Sequence, residues 1–111
     1  MAHDMNSKKI TKIIQQWSKN CPTEEDWNTV KNLLESLGFE HIGFKGDDAK
    51  FHHVDLVDYP DAKPTGIITI PARKGRKVIK CYLKKILIYY NYLYEKGSIN
   101  LQGDSNEDDE T

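Results

Sequence analysis

Residues 46–53, GDDAKFHH, decide how we expect this chain of 111 residues to fold. Gly46, Asp47 and Asp48 are residue types that tolerate the backbone angles of a tight turn. The β-branched and aromatic residues around the turn favour strands. The stretch therefore predicts a hairpin, with one strand at residues 39–45 and a second at residues 50–59.

Helices are predicted on both sides of the hairpin. Ile10, Ile13, Ile14 and Trp17 recur at the spacing of one helix face, which indicates a helix over Ser7–Asn20. A second helix is predicted to start near Thr23 and to end at Gly38, and its inner face carries Trp27, Val30, Leu33, Leu34 and Leu37. A short third strand is expected at residues 67–70, and a long final helix at residues 76–96.

This order of elements predicts an α+β fold. An extra helix precedes an α-β-β-β-α unit, in which two helices cover one face of a three-stranded antiparallel sheet. The same order defines a double-stranded-RNA-binding domain (dsRBD). We expect residues 1–97 to form one dsRBD-like domain, with residues 7–20 as its extra helix. Residues 98–111 are expected to be an acidic, disordered tail.

The second predicted strand has an unusual apolar pattern. Phe51 and Val57 fall on one face, whereas Val54 and Leu56 fall on the other. Two apolar faces imply a bulge or a cover on both sides. The extra helix could supply that cover by lying across the open face of the sheet, or it could pack beside the other helices.

Charge is strongly segregated although the net charge is only −1. Residues 62–94 hold eight lysines and arginines and no acid, whereas residues 23–61 and 95–111 are acidic. Such a distribution favours a basic face that meets phosphates, and a solvated helix flank is the alternative. The basic residues nearest the predicted start of the final helix are Arg73, Lys74, Arg76, Lys77, Lys80 and Lys84.

Composition narrows the class of protein further. Charged residues are 30% and hydrophobic residues 38% of the chain, and no apolar run approaches the ~20 residues of a membrane span. Cys21 and Cys81 match no metal-ligand spacing and form no disulfide framework. We therefore expect free thiols, a reducing compartment and a cytoplasmic location without membrane contact.

Several short motifs resemble the HicA-type toxins, small mRNA interferases of bacterial toxin–antitoxin pairs. Leu37-Gly38-Phe39 ends a helix, Gly46 opens the second strand, and Ile70-Pro71 and Lys74-Gly75 end the third strand. Lys85-Ile86-Leu87 lies in the final helix. The resemblance spans residues 27–93 and implies a dsRBD-like fold, RNA as a partner, endoribonuclease activity and a HicB-like antitoxin.

The resemblance also places the candidate site. The resemblance places the family's catalytic histidine at Asp48 in this chain. His52 is the candidate replacement. Side chains alternate along a strand, so His52 shares a face with residues 48 and 50. Histidine titrates near neutral pH and can exchange protons with RNA. We expect His52 to act with Asp48, and Lys50 and the basic residues above to bind phosphate.

Three alternatives remain open. His52 and His53 could be strand residues with no chemical role. The chain could also be a non-catalytic module that binds nucleic acid or protein. Metal binding by Asp47, Asp48, His52, His53 and Asp55 lacks a motif, and no metal or cofactor is predicted.

Overall fold

The computed structural model describes residues 6–72 and 77–99, and these residues confirm the α+β class. The described part contains three α-helices, a three-stranded antiparallel sheet and a separate two-stranded antiparallel sheet. The elements in chain order are α1 Ser7–Asn20, β1 Glu24–Asp26, α2 Trp27–Ser36, β2 Glu40–Lys45, β3 Asp48–His52, a 3-10 helix Val54–Leu56, β4 Ile67–Pro71, β5 Lys77–Ile79 and α3 Lys80–Lys96.

The first two helices begin at side-chain caps. The Asn6 side chain accepts a hydrogen bond from the Lys9 N–H at 2.9 Å, and Asp26 accepts one from the Asn28 N–H at 3.1 Å. Each cap satisfies one backbone donor that a helix start otherwise leaves unpaired. The predicted start of α2 near Thr23 is therefore wrong, because Asp26 is the cap and the residues before it form β1.

The three-stranded sheet has the order β2-β3-β4. Lys45 pairs with Asp48 across the two-residue turn, and Gly46 takes φ +66°, which the turn requires. Ala49 and Phe51 point inward and pair with Ile70 and Ile68 of β4, and all four are buried. The predicted hairpin and third strand are thus present and antiparallel.

The second strand ends earlier than predicted. It stops at His52, and residues 54–56 form a 3-10 helix. His53 causes the change of direction, because its Nδ1 accepts a hydrogen bond from the Asp55 N–H at 3.0 Å and so caps the 3-10 helix. The apolar residues on the second face are therefore no longer in a strand: Leu56 is buried and Val54 is 65% exposed.

The final helix starts later than predicted. Residues 77–79 form β5, which pairs antiparallel with β1, and the Lys80 N–H donates to the Thr23 carbonyl at 2.8 Å. Val78 is buried in this two-stranded ribbon of β1 and β5. A buried β-branched residue favours a strand over the first turn of a helix. Neither strand of this ribbon was predicted.

The α1 helix packs against α3, which is the second of the two positions expected for it. Ile10, Ile14 and Trp17 of α1 join the same core as Leu83 and Ile86 of α3. No helix in residues 6–72 or 77–99 is long and apolar enough to cross a membrane. At the end of α3, Ser98 and Ile99 are described, and the rest of the predicted acidic tail lies outside the described residues.

Candidate nucleic-acid interface

The outer face of the three-stranded sheet carries three polar side chains from β3. Asp48, Lys50 and His52 are half-exposed, and they alternate with Ala49 and Phe51, which are fully buried. The predicted alternation along this strand is therefore present. The outer face offers a carboxylate, an ammonium and an imidazole to a ligand.

A hydroxyl on the neighbouring strand completes this surface. Thr69 of β4 lies opposite Lys50, and the Lys50 Nζ donates a hydrogen bond to its Oγ1 at 2.7 Å. Ile67 lies opposite His52. A Cβ atom placed on Gly66 would lie 3.5 Å from the Cδ2 of His52, which is an ordinary van der Waals distance, so Gly66 borders the imidazole.

A β-bulge brings a further carboxylate to His52. The register of β2 against β3 shifts between His41 and Gly43, where Gly43 has φ +137°. Continuing the hairpin register without this shift would place His41 opposite His52. With the shift, Glu40 is the partner of His52, and opposed Cβ atoms in such a ladder are about 4.5–5.5 Å apart.

The structure does not bring Asp48 close to His52. They are the first and last residues of β3, four residues apart, which corresponds to about 13 Å between their Cα atoms. Two such short side chains cannot form a hydrogen bond across that distance. Asp48 instead lies opposite Lys45 on one side and Pro71 on the other, at the hairpin end of the sheet.

His53 belongs to the core and not to the outer face. It is 5% exposed, its Nε2 lies 3.2 Å from the Leu37 carbonyl, and its Nδ1 accepts from the Asp55 N–H. One ring nitrogen donates and the other accepts, so the ring is neutral. Burial lowers the pKa of His53, and the Leu37 carbonyl opposes that shift.

His41 is the third histidine of the region, and the bulge turns it inward. Its ring lies against Phe51, Phe44 and Trp27, with centroid separations of 4.9, 5.2 and 5.5 Å. Burial, followed by the charge of Lys31, lowers its pKa. His41 therefore acts as a packed aromatic ring between α2 and the sheet.

The predicted phosphate-binding residues are spread over several elements. Lys80 and Lys84 are exposed on α3, and Lys77 is exposed on β5, opposite Asp26. Because the final helix was predicted to begin at residue 76, Lys77 was expected on the same helix as Lys80 and Lys84, and it lies in β5 instead. Arg73, Lys74 and Arg76 lie outside the described residues.

The basic residues and the outer sheet face are joined by a short stretch of chain. Lys77 follows Pro71, the last residue of β4, by six positions, so their Cα atoms are at most about 20 Å apart. Because Pro71 pairs with Asp48, the basic stretch begins near the hairpin end of the sheet. Arg73, Lys74 and Arg76 lie within this connection in the sequence.

Sequence reasoning missed Glu40 and Thr69. The two-residue turn fixes the first pairs of the hairpin, but only the bulge at Gly43 puts Glu40 opposite His52. The glycine in the middle of a strand was the available signal, since such glycines often mark bulges. Within residues 6–72 and 77–99, no group of three or more histidines, cysteines or acids is arranged to hold a metal ion.

Comparison with known proteins identifies no relative, because no family model, curated protein or solved structure matches the chain.

Proposed function

We propose that this chain is a HicA-like, RNA-binding toxin of a bacterial toxin–antitoxin pair, with endoribonuclease activity on the outer face of its sheet. The observation that carries the proposal is the grouping of Lys50, His52, Glu40 and Thr69 on that half-exposed face. The order α2-β2-β3-β4-α3 supports the dsRBD-like part of the proposal, although the β1–β5 ribbon is an addition to it.

The grouping fits the proton transfers of metal-independent RNA cleavage. A base removes the proton of the 2′-hydroxyl, whose oxygen then attacks the adjacent phosphorus. The bond to the 5′-oxygen breaks, an acid protonates that oxygen, and the products are a 2′,3′-cyclic phosphate and a 5′-hydroxyl. We assign His52 as the acid and Glu40, its partner across the ladder, as the base.

Lys50 is suited to hold the phosphate. It is two residues from His52 on the same face, about 6.6 Å along the strand, and Thr69 fixes its ammonium from the side. A positive charge at this place would stabilise the negative charge that develops on the phosphate oxygens. Our assignment uses Glu40 and not Asp48, because Asp48 is four residues from His52 along β3 and too far to contact it.

A non-catalytic RNA-binding module is the second candidate function. It is favoured by the absence of a histidine at residue 48, where the HicA-like resemblance expects the catalytic one. In that case the cations would bind RNA and no bond would be broken. Binding and cleavage must therefore be measured separately.

The test uses purified protein and a fluorescent single-stranded and a double-stranded RNA of about 20 nucleotides. We expect binding at low salt and, in the presence of EDTA, products that end in a 2′,3′-cyclic phosphate. His52→Ala and Glu40→Gln should each lower the cleavage rate at least about 100-fold, within the usual range for acid–base catalysis, and leave RNA affinity nearly unchanged.

Two controls make the result specific. Asp48→Asn should keep most of the cleavage rate, and Lys63→Gln, which changes an exposed lysine of the loop between the 3-10 helix and β4, should change neither binding nor cleavage. Binding without cleavage by the wild-type protein would support the non-catalytic module. Cleavage that survives in His52→Ala would overturn our assignment of the acid.

A further inference from the structure

An exposed row of residues on α3 presents two lysines to solvent. Lys80 and Lys84 are one helical turn apart, and the exposed Ile88, Asn91 and Glu95 continue the row toward the end of the helix. Neither lysine forms an ion pair within the part of the chain that the structure describes. Lys85 differs, because it lies 3.0 Å from the Asp61 carboxylate.

The acidic segment of the chain follows directly from the other end of this helix. Asp104, Glu107, Asp108, Asp109 and Glu110 lie beyond the described residues. Their point of attachment is fixed, since the Ser98 N–H donates to the Leu93 carbonyl at 2.9 Å and the Ser98 Oγ lies 2.6 Å from Asp55 Oδ2. Ile99 is 8% exposed, so the segment leaves from a packed position.

The dimensions of the helix and the segment match. Measured back from Lys96, Lys84 is about 18 Å and Lys80 about 24 Å along the helix axis. An extended chain from Ile99 can place Asp104 at up to about 17 Å and Glu110 at up to about 37 Å. Residues 100–103 carry no charge, so they can pass Glu95, the acid on the row, before the acidic residues begin.

We propose that the acidic segment at residues 104–110 docks along the row of Lys80 and Lys84 and there competes with RNA phosphates. The competition part rests on the proposed function, whereas the docking does not. Surface ion pairs are individually weak, but a short tether supplies an effective concentration in the millimolar range. Even an association with a millimolar dissociation constant would then be about half occupied.

Another basic surface could receive the segment. Lys8, Lys9 and Lys12 are exposed near the start of α1. We assign the segment to α3 because the segment follows directly from that helix, and because both lysines lie within the extended length of the segment when measured along the helix axis. Docking on α1 is therefore an outcome that the test must detect.

A spin label tests the docking directly. In a protein carrying Cys21→Ser, Cys81→Ser and Ser105→Cys, a nitroxide at residue 105 should broaden the amide signals around Lys80 and Lys84. The broadening should weaken strongly at 0.5 M NaCl, where the Debye length is only a few ångströms. A matched variant in which Asp104, Glu107, Asp108, Asp109 and Glu110 are changed to the corresponding amides should not show the broadening. Broadening confined to residues 8–12, or none, would overturn the proposal.

RNA affinity tests the competition. The variant with five amides should bind RNA about 2–10-fold more tightly than the wild type at 50 mM salt, and the difference should vanish when Lys80 and Lys84 are also changed to Gln. Equal affinities of the wild type and the amide variant would overturn the competition. If neither protein binds RNA, the proposed function is wrong, and the spin-label result alone decides whether the segment docks.

Discussion

At the scale of single residues, the three neighbouring histidines have three different environments. His52 is half-exposed on the outer face, His53 is buried with both ring nitrogens engaged, and His41 lies among aromatic rings. The alternation predicted for this strand placed His52 on the same face as residues 48 and 50, and β3 has that arrangement. The inward position of His41 depends on the bulge, which the sequence did not predict.

Burial of His53 as a neutral ring makes stability depend on pH. Its folded-state pKa is lowered, chiefly by burial, so the unfolded chain takes up a proton at a higher pH than the folded one. The stabilisation is therefore complete above the unfolded pKa of about 6.5 and is lost as the pH falls below it. We expect the free energy of unfolding to fall by up to about 1.4 kcal/mol per pH unit from this group.

Urea unfolding at several pH values between 7.5 and 5 measures this effect. His41, whose pKa is also lowered by burial, adds to the slope in the same direction. His53→Gln should be less stable at neutral pH, yet its stability should depend less on pH than that of the wild type. If the stability of the two proteins depends equally on pH, His53 does not cause the pH dependence that we predict.

Among the glycines that the structure describes, Gly66 has the least room for a side chain. It has φ +80°, and an added Cβ atom would lie 2.5 Å from the carbonyl oxygen of His53. Gly46 has φ +66° but open space around it. We expect Gly46→Ala to cost about 1–2 kcal/mol for the left-handed backbone. Gly66→Ala should cost a further 1–3 kcal/mol or so for the clash.

Thermal and urea unfolding of both alanine variants check this difference. Because the two glycines share the left-handed backbone, their difference isolates the contact with His53. Equal losses of stability would mean that the backbone around residue 66 shifts freely.

At the scale of elements, local signals predicted some boundaries and failed at others. The periodic apolar residues of α1 and the glycine-containing turn between β2 and β3 depend only on neighbouring residues, and both were predicted. The β1–β5 ribbon pairs residues more than fifty positions apart, so no local pattern indicates it. The early end of β3 depends on the side chain of His53, which caps the 3-10 helix. The apolar residues that follow His53 in the sequence also favour a strand, so the sequence did not indicate this end.

The cap of α2 allows a direct test of why that helix starts at Trp27. Asp26→Ala removes the carboxylate that accepts from the Asn28 N–H, and we expect a loss of about 1 kcal/mol in unfolding free energy. Asp26→Asn keeps a hydrogen-bond acceptor, so it should lower the unfolding free energy by only about a few tenths of a kcal/mol. Urea denaturation of both variants provides the measurement, and an equal loss in both would assign the effect to charge, not to the cap.

At the scale of the whole molecule, the described residues carry two sets of exposed lysines. One is formed by Lys77, Lys80 and Lys84 on β5 and α3, and the other by Lys8, Lys9 and Lys12 on α1. The sequence drew attention to the first because it lies in a stretch without acids. The basic character of α1 was overlooked, although that helix contains no acidic residue.

The salt dependence of RNA binding distinguishes the two sets of lysines. Each lysine that contacts a phosphate releases counterions, which changes the slope of log affinity against log salt by about 0.7 to 0.9. We expect the triple variant Lys77→Gln, Lys80→Gln, Lys84→Gln to flatten that slope by about two to three units, because all three lysines are exposed and belong to the predicted phosphate-binding residues.

The matched variant Lys8→Gln, Lys9→Gln, Lys12→Gln removes the same charge from α1. It should leave the slope nearly unchanged, since simple loss of net charge has only a long-range effect that salt screens within about 10 Å at 0.1 M. Fluorescence anisotropy at 50 to 300 mM NaCl gives both slopes. Equal flattening in the two variants would mean that RNA responds to net charge alone, and flattening only in the α1 variant would move the interface to the opposite end of the sequence.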